Sequence, residues 1–164
     1  MQVLLHEGDA IFRTNSSHHP LSPMNRNVFD TIIAIDCAYH FRPRTTFLRQ
    51  SFSKLAPGGR ISLADICFSS LPRRSFLVSL VSFLNVIPPA NIVTVEHYID
   101  DLQAIGYVDV EIEDITEWVF PGFSRCLSSQ RSRKWRIFGS MIDVITWLDA
   151  RFIIVTGTKP ANVP

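Results

Sequence analysis

Residues 28–41 read VFDTIIAIDCAYHF. An apolar run, residues 32–35, gives way to four side chains that can do chemistry: Asp36, Cys37, Tyr39 and His40. An imidazole with an ordinary pKa of about 6.5 accepts a proton near neutrality, so His40 is a candidate general base or substrate-orienting group. The alternative is a hydrogen-bonded histidine at a strand end. Tyr39 divides in the same way between substrate contact and packing. Cys37 and His40 spell CxxH, half of a metal site, but no second Cys/His pair stands at ligand spacing, so no metal is expected. Nothing near Cys37 in the sequence suggests the lowered pKa that a nucleophilic thiol needs. Asp65, late in RISLADICF, either faces a ligand or caps the following turn.

Such a cluster must be held by rigid elements. VFDTIIAID (28–36) and RISLADICF (60–68) read as strands buried on both faces, as in a parallel sheet. Between them, PRTTFLRQSFSKL (43–55) carries Phe47, Leu48, Phe52 and Leu55 at helical spacing, and APGG is expected to stop the helix with a left-handed cap at Gly58-Gly59. A helix is expected over 72–87, and another from an N-cap at Thr94 to Ala104 with Gly106 as its stop. YVDVEIEDIT (107–116) alternates apolar with acidic residues, the pattern of a half-exposed strand. Residues 123–149 read as one long helix, and 151–160 as the last strand. VLLHEGDA (3–10) reads as a short first strand, followed by a polar loop in which His18 and His19 are solvated. RSRKWR (131–136) reads as the solvated face of a helix with Trp135 turned inward, and His97 as a helix-surface residue. Strands alternating with helices predict an α/β sheet with ligands beyond the carboxyl ends of its strands, where Asp36–His40 and Asp65 lie.

The 164 residues suit a single domain, 1–164, with 46% hydrophobic residues. The net charge of +1 gives no general pull toward nucleic acid. Cys37, Cys67 and Cys126 make an odd set without CxxC, which predicts no disulfide framework and a reducing, cytoplasmic location. The start lacks the features of a signal peptide. The apolar stretch 76–89 is too short to span a bilayer. It suits core, lid or dimer contact, with peripheral membrane docking as the alternative.

HEGDA, FDTIIAIDCAYHF, LAPGGRISLAD and YIDDLQAIGYVDVEIEDIT, in that order, resemble the later motifs of class I S-adenosylmethionine-dependent methyltransferases. The likeness is to the small-molecule group that includes the sterol, cyclopropane-fatty-acid and phosphoethanolamine enzymes. It runs from about residue 3 to 159. The resemblance implies a partial Rossmann-like sheet of about five strands with the last antiparallel, flanked by helices. It implies S-adenosyl-L-methionine as cofactor, with Asp9 and Ala10 at the adenine and Asp36, Cys37 and Ala38 bordering the rest of it. It implies His40 and Tyr39 as catalytic, Asp65 and Trp118 at the substrate, and segments 69–93 and 117–149 as lid over a hydrophobic small molecule. One departure is large. The family's glycine-rich turn has no counterpart, because the seven glycines include no GxG. The expectation is therefore an N-terminally truncated, impaired methyltransferase, with residues 3–7 either pairing beside 28–35 or packing loosely. The alternative is a non-catalytic protein, either a pseudoenzyme that binds a full-length relative or an inert fragment; a homodimer is a separate partner expectation. A nicotinamide-dependent Rossmann enzyme fits less well, since it needs fingerprint glycines too.

Overall fold

The computed structural model describes residues 3–13, 18–70 and 87–161. Its one sheet has the strand order β1-β2-β4-β3, with β1 at Phe29–Ile35, β2 at Leu55–Phe68, β3 at Val108–Asp114 and β4 at Ala150–Thr158. β1 and β2 are parallel, and β4 runs antiparallel to both β2 and β3. The helices of the described residues are α1 (Arg44–Lys54), α2 (Val95–Ile105), α3 (Thr116–Ser128) and α4 (Arg133–Trp147). The partial Rossmann-like α/β sheet with an antiparallel last strand is thus as expected. It has four strands among the described residues rather than about five. Residues 3–9 form no strand, and Val3, Leu4 and Leu5 lie exposed, so β1 is a sheet edge. The expected helix 72–87 falls almost wholly outside the described residues. None of the described helices is long and apolar enough to cross a membrane.

Side chains alternate across β2 with the period of 2 that a strand imposes. Ile61 and Leu63 enter a core with Leu48 of α1, Tyr98 and Leu102 of α2, and Val155 of β4. Ala64, Ile66 and Phe68 point to the other face. There they meet Phe120 and Leu127 of α3, Ile142 and Ile145 of α4, and Phe152. The sheet therefore separates two apolar layers, α1/α2 on one face and the α3–α4 hairpin on the other.

Three local expectations need correction. α1 ends at Lys54, and Leu55 already has extended backbone, so Gly58-Gly59 do not cap it. They lie instead inside β2, where the pairing with β1 shifts register between Phe29 and Thr31. Gly59 is required there, because a Cβ would stand 2.9 Å from the Ala56 carbonyl oxygen and 3.1 Å from that of Asp30. The single helix over 123–149 is two helices, and the first starts seven residues earlier than expected, at Thr116. The hairpin packs closely because Gly139 faces Ser124, whose hydroxyl donates to the Gly139 carbonyl at 3.2 Å. Trp135 is half exposed rather than turned inward, touching Phe138 edge-on. The expected caps of α2 are both present. Thr94 Oγ1 accepts from the His97 amide, and Gly106 takes φ 114°, which only glycine adopts readily.

Candidate functional site

β1 ends in a sharp turn. Asp36 sits at φ 53°, a left-handed conformation that Asp tolerates better than most residues. Its amide still donates to the Ala64 carbonyl at 2.8 Å, which fixes the point where the chain leaves the sheet. One short 3₁₀ turn follows, Ala38–His40. This segment has a cavity on each side.

The first cavity, about 420 Å³, lies between the turn, the end of the sheet and the α3–α4 hairpin. Asp36, Tyr39 and His40 form one wall, and aliphatic and aromatic side chains of Phe120, Phe123, Phe138, Ile142 and Ile145 form much of the rest. The Tyr39 hydroxyl donates to Asp36 Oδ1 at 2.9 Å. Burial and the neighbouring carboxylate hold that phenol well above its ordinary pKa, so it stays protonated and acts as a donor. The His40 ring packs against Tyr39 at 4.2 Å between centroids and is exposed at the rim.

The second cavity, about 800 Å³, runs along the free edge of β1. Asp9, Ala10 and Ile11 border it on one side, and Ile32–Ile35, Cys37 and Phe41 on the other. Asp9 Oδ1 accepts from the Ile11 amide at 3.0 Å and Oδ2 from Arg13 Nε at 2.7 Å. The Ile11 amide, and after it Arg13, hold this carboxyl below the usual range. An ionised carboxylate has acceptor capacity beyond these two bonds, so Asp9 still fits an exocyclic amine.

The five residues placed at the cofactor by sequence do not share one environment. Asp9, Ala10 and Cys37 border the second cavity, Asp36 borders the first, and Ala38 is fully buried and borders neither. His40 and Tyr39 border the first cavity together. The two expected substrate residues line neither cavity. Asp65 is completely buried on the α1/α2 face, since strand alternation turns it away from its neighbours Ala64 and Ile66. Trp118 is 79% exposed, because the inward face of α3 is set by Thr116, Phe120, Ser124 and Leu127.

Asp65 is nevertheless the centre of a network that supports the site. Arg44, only 2% exposed, donates through Nη1 to Asp65 Oδ2 at 2.8 Å, and the Tyr98 hydroxyl donates to the same oxygen at 2.7 Å. The Arg44 guanidinium also lies 4.0 Å above the Tyr98 ring. Buried Asn91 links this pair to the turn. Its Oδ1 accepts from the Arg44 amide at 3.0 Å, and its Nδ2 donates to the carbonyls of Tyr39, at 2.8 Å, and Phe41. Neither Arg44 nor Asn91 is marked out in the sequence by a motif. The apolar residues of α4 that line the first cavity fall within the segment read as one long helix, and nothing in the sequence marks them as cavity walls.

The thiols differ in reactivity. Burial, then Asp65 and Asp36, raise Cys37, and burial pushes Cys67 up to about 12. At neutral pH, titration with a disulfide reagent is expected to modify exposed Cys126 fast, Cys37 slowly and Cys67 only on unfolding. Fast reaction of Cys37 would contradict this placement. Among the described residues, no group of three or more His, Cys, Asp or Glu side chains is placed to hold a metal.

No family model matches the sequence. Over 107 residues it is 31% identical to erythromycin 3''-O-methyltransferase of Saccharopolyspora erythraea, a match covering 58% of this chain and 33% of that protein. The chain thus spans about a third of the curated relative it matches. Among solved structures, it superposes on geranyl diphosphate methyltransferase in complex with SAM with a TM-score of 0.65 at 12% identity, covering 85% of this chain and 55% of that one. Phosphoethanolamine N-methyltransferase 2 of Haemonchus contortus gives a TM-score of 0.63 at 14% identity, covering 80% and 33%. The O-methyltransferase of a trans-AT PKS multienzyme of Brevibacillus brevis, in complex with S-adenosyl-L-homocysteine, gives 0.62 at 15%, covering 90% and 50%. At these identities the structural likeness is one of fold.

Proposed function

We propose, from a fold shared with class I S-adenosylmethionine-dependent methyltransferases, that this chain carries the acceptor side and part of the cofactor side of a small-molecule methyltransferase. The observation that carries the reading is the turn 36–40 standing between two cavities, one with Asp9 and Cys37 and an apolar one with Tyr39 and His40. Asp9 would accept from an adenine amine, with the Ala10 amide beside the ring. When bound, S-adenosylmethionine supplies a methyl carbon activated by a sulfonium. Residues 117–149 act as a cap over the apolar cavity, orienting the acceptor and excluding water. His40 at the rim takes the acceptor's proton, and Tyr39, fixed to Asp36, orients the acceptor by its hydroxyl. Rate enhancement from such a site is mainly orientation, with the proton acceptor adding to it.

A second reading is favoured by the edge of β1 that has no strand partner among the described residues, where Ile33 and Ile35 are 63% and 71% exposed. In it the chain binds a full-length methyltransferase, or a second copy of itself, without turnover. Calorimetry with S-adenosylhomocysteine separates the two. The first reading predicts a dissociation constant of about 10–100 μM, an interaction of roughly 5–7 kcal/mol, lost in Asp9→Ala. Absence of heat at millimolar ligand would remove the first reading and leave the second.

A further inference from the structure

The first cavity has an electrostatic asymmetry that its apolar walls make consequential. Among the described residues, Asp36 is the only carboxylate on its lining, and none of the lining residues is a lysine or arginine. Asp36 Oδ1 takes the Tyr39 hydroxyl, and Oδ2 has no partner among the described residues. Asp36, left-handed in its backbone and exposed to solvent, borders this cavity and not the one along the strand edge that Cys37 borders. Backbone strain of this kind persists where the surroundings hold it, and it concentrates at ligand sites. Phe120, Phe123 and Phe138 line the same cavity with aromatic rings.

We infer that this cavity selects a lipophilic amine, its apolar body among the α3 and α4 side chains and its ammonium group at Asp36. The inference rests on reading the cavity as the acceptor site. A charge-assisted hydrogen bond to a carboxylate is about twice as strong as a neutral one. Aromatic faces add attraction for a cation. A lipophilic carboxylate would meet Asp36 with like charge and no compensating cation among the described lining residues.

The test uses the full chain without cofactor and three probes of one shape: 4-phenylbutylamine, 4-phenylbutan-1-ol and 4-phenylbutanoate. Calorimetry is expected to rank the amine at least about fivefold tighter than the alcohol, and the carboxylate weakest. Asp36→Asn, which keeps a residue tolerant of positive φ, should erase the preference for the amine and leave the alcohol within about twofold. Phe120→Leu should weaken all three. Equal binding of amine and alcohol to the unaltered chain, an amine preference that survives Asp36→Asn, or no binding of any probe at 5 mM would each overturn the inference. Because no cofactor is present, failure of S-adenosylhomocysteine to bind would count against the proposed function and leave this result readable on its own.

Discussion

Asp65→Ala is expected to destabilise the fold by about 3–5 kcal/mol, read as a fall in the urea midpoint at unchanged slope. The carboxylate is wholly buried and its partner Arg44 is 2% exposed. Removing Asp65 leaves a guanidinium in the core, with the carbonyls of Ile66 and Asn91 as its remaining hydrogen-bond acceptors. It also removes the acceptor of the buried Tyr98 hydroxyl. A loss of that size is a large share of the 5–15 kcal/mol that holds a typical domain folded. The charge pair itself contributes less than this loss suggests. Asp65 Oδ1 is buried without a hydrogen-bond partner among the described residues, and desolvation of both ions offsets their attraction. The double variant Asp65→Leu with Arg44→Met is therefore expected to recover most of the stability, since no unpaired charge remains. A cost below about 1 kcal/mol for Asp65→Ala would contradict the network as described.

Asn91→Leu is expected to combine a stability loss of about 2 kcal/mol with a weakened site. The asparagine side chain makes three hydrogen bonds from a fully buried position, one from the Arg44 amide and two to the carbonyls of Tyr39 and Phe41. Leucine has a similar volume and replaces none of them. The turn Ala38–His40 then loses its tie to the Arg44–Asp65 pair, and Tyr39 and His40 lose their fixed position against the cavity. Ligand binding in the apolar cavity is expected to weaken about tenfold, equivalent to about 1.4 kcal/mol, while far-ultraviolet dichroism stays that of the folded chain. Asn91→Asp, which retains the acceptor but loses the amide donors, should fall between. Unchanged ligand affinity in a destabilised but folded Asn91→Leu chain would assign this residue to stability alone.

The sequence was informative where a physical pattern repeated and silent where tertiary contact decided. Continuous apolar runs identified β1 and the latter half of β2, and the alternation of Val108, Val110 and Ile112 with acidic residues identified β3. Thr94 and Gly106 bounded α2 because both act through local backbone groups. The division of 36–40 between two cavities was not legible. It depends on the sign of one backbone angle, at Asp36, in a residue type that adopts either sign. The face that Asp65 takes was not legible, because strand-end position does not set it and Arg44, its partner, lies 21 positions away. Trp118 looked like a lid residue by type, yet the helix that contains it was not seen to begin at Thr116, so its outward orientation was hidden. Pro121, inside that helix, obscured the pattern further.

Backbone amide chemical-shift mapping with S-adenosylhomocysteine tests the central claim most directly, that the turn 36–40 divides a cofactor side from an acceptor side. The account predicts shifts at Asp9, Ala10, Ile11, Cys37 and Phe41, with Phe120, Ile142 and Ile145 unmoved until an apolar ligand is added. Shifts centred on Phe120, Ile142 and Ile145, or none anywhere at millimolar ligand, would contradict it.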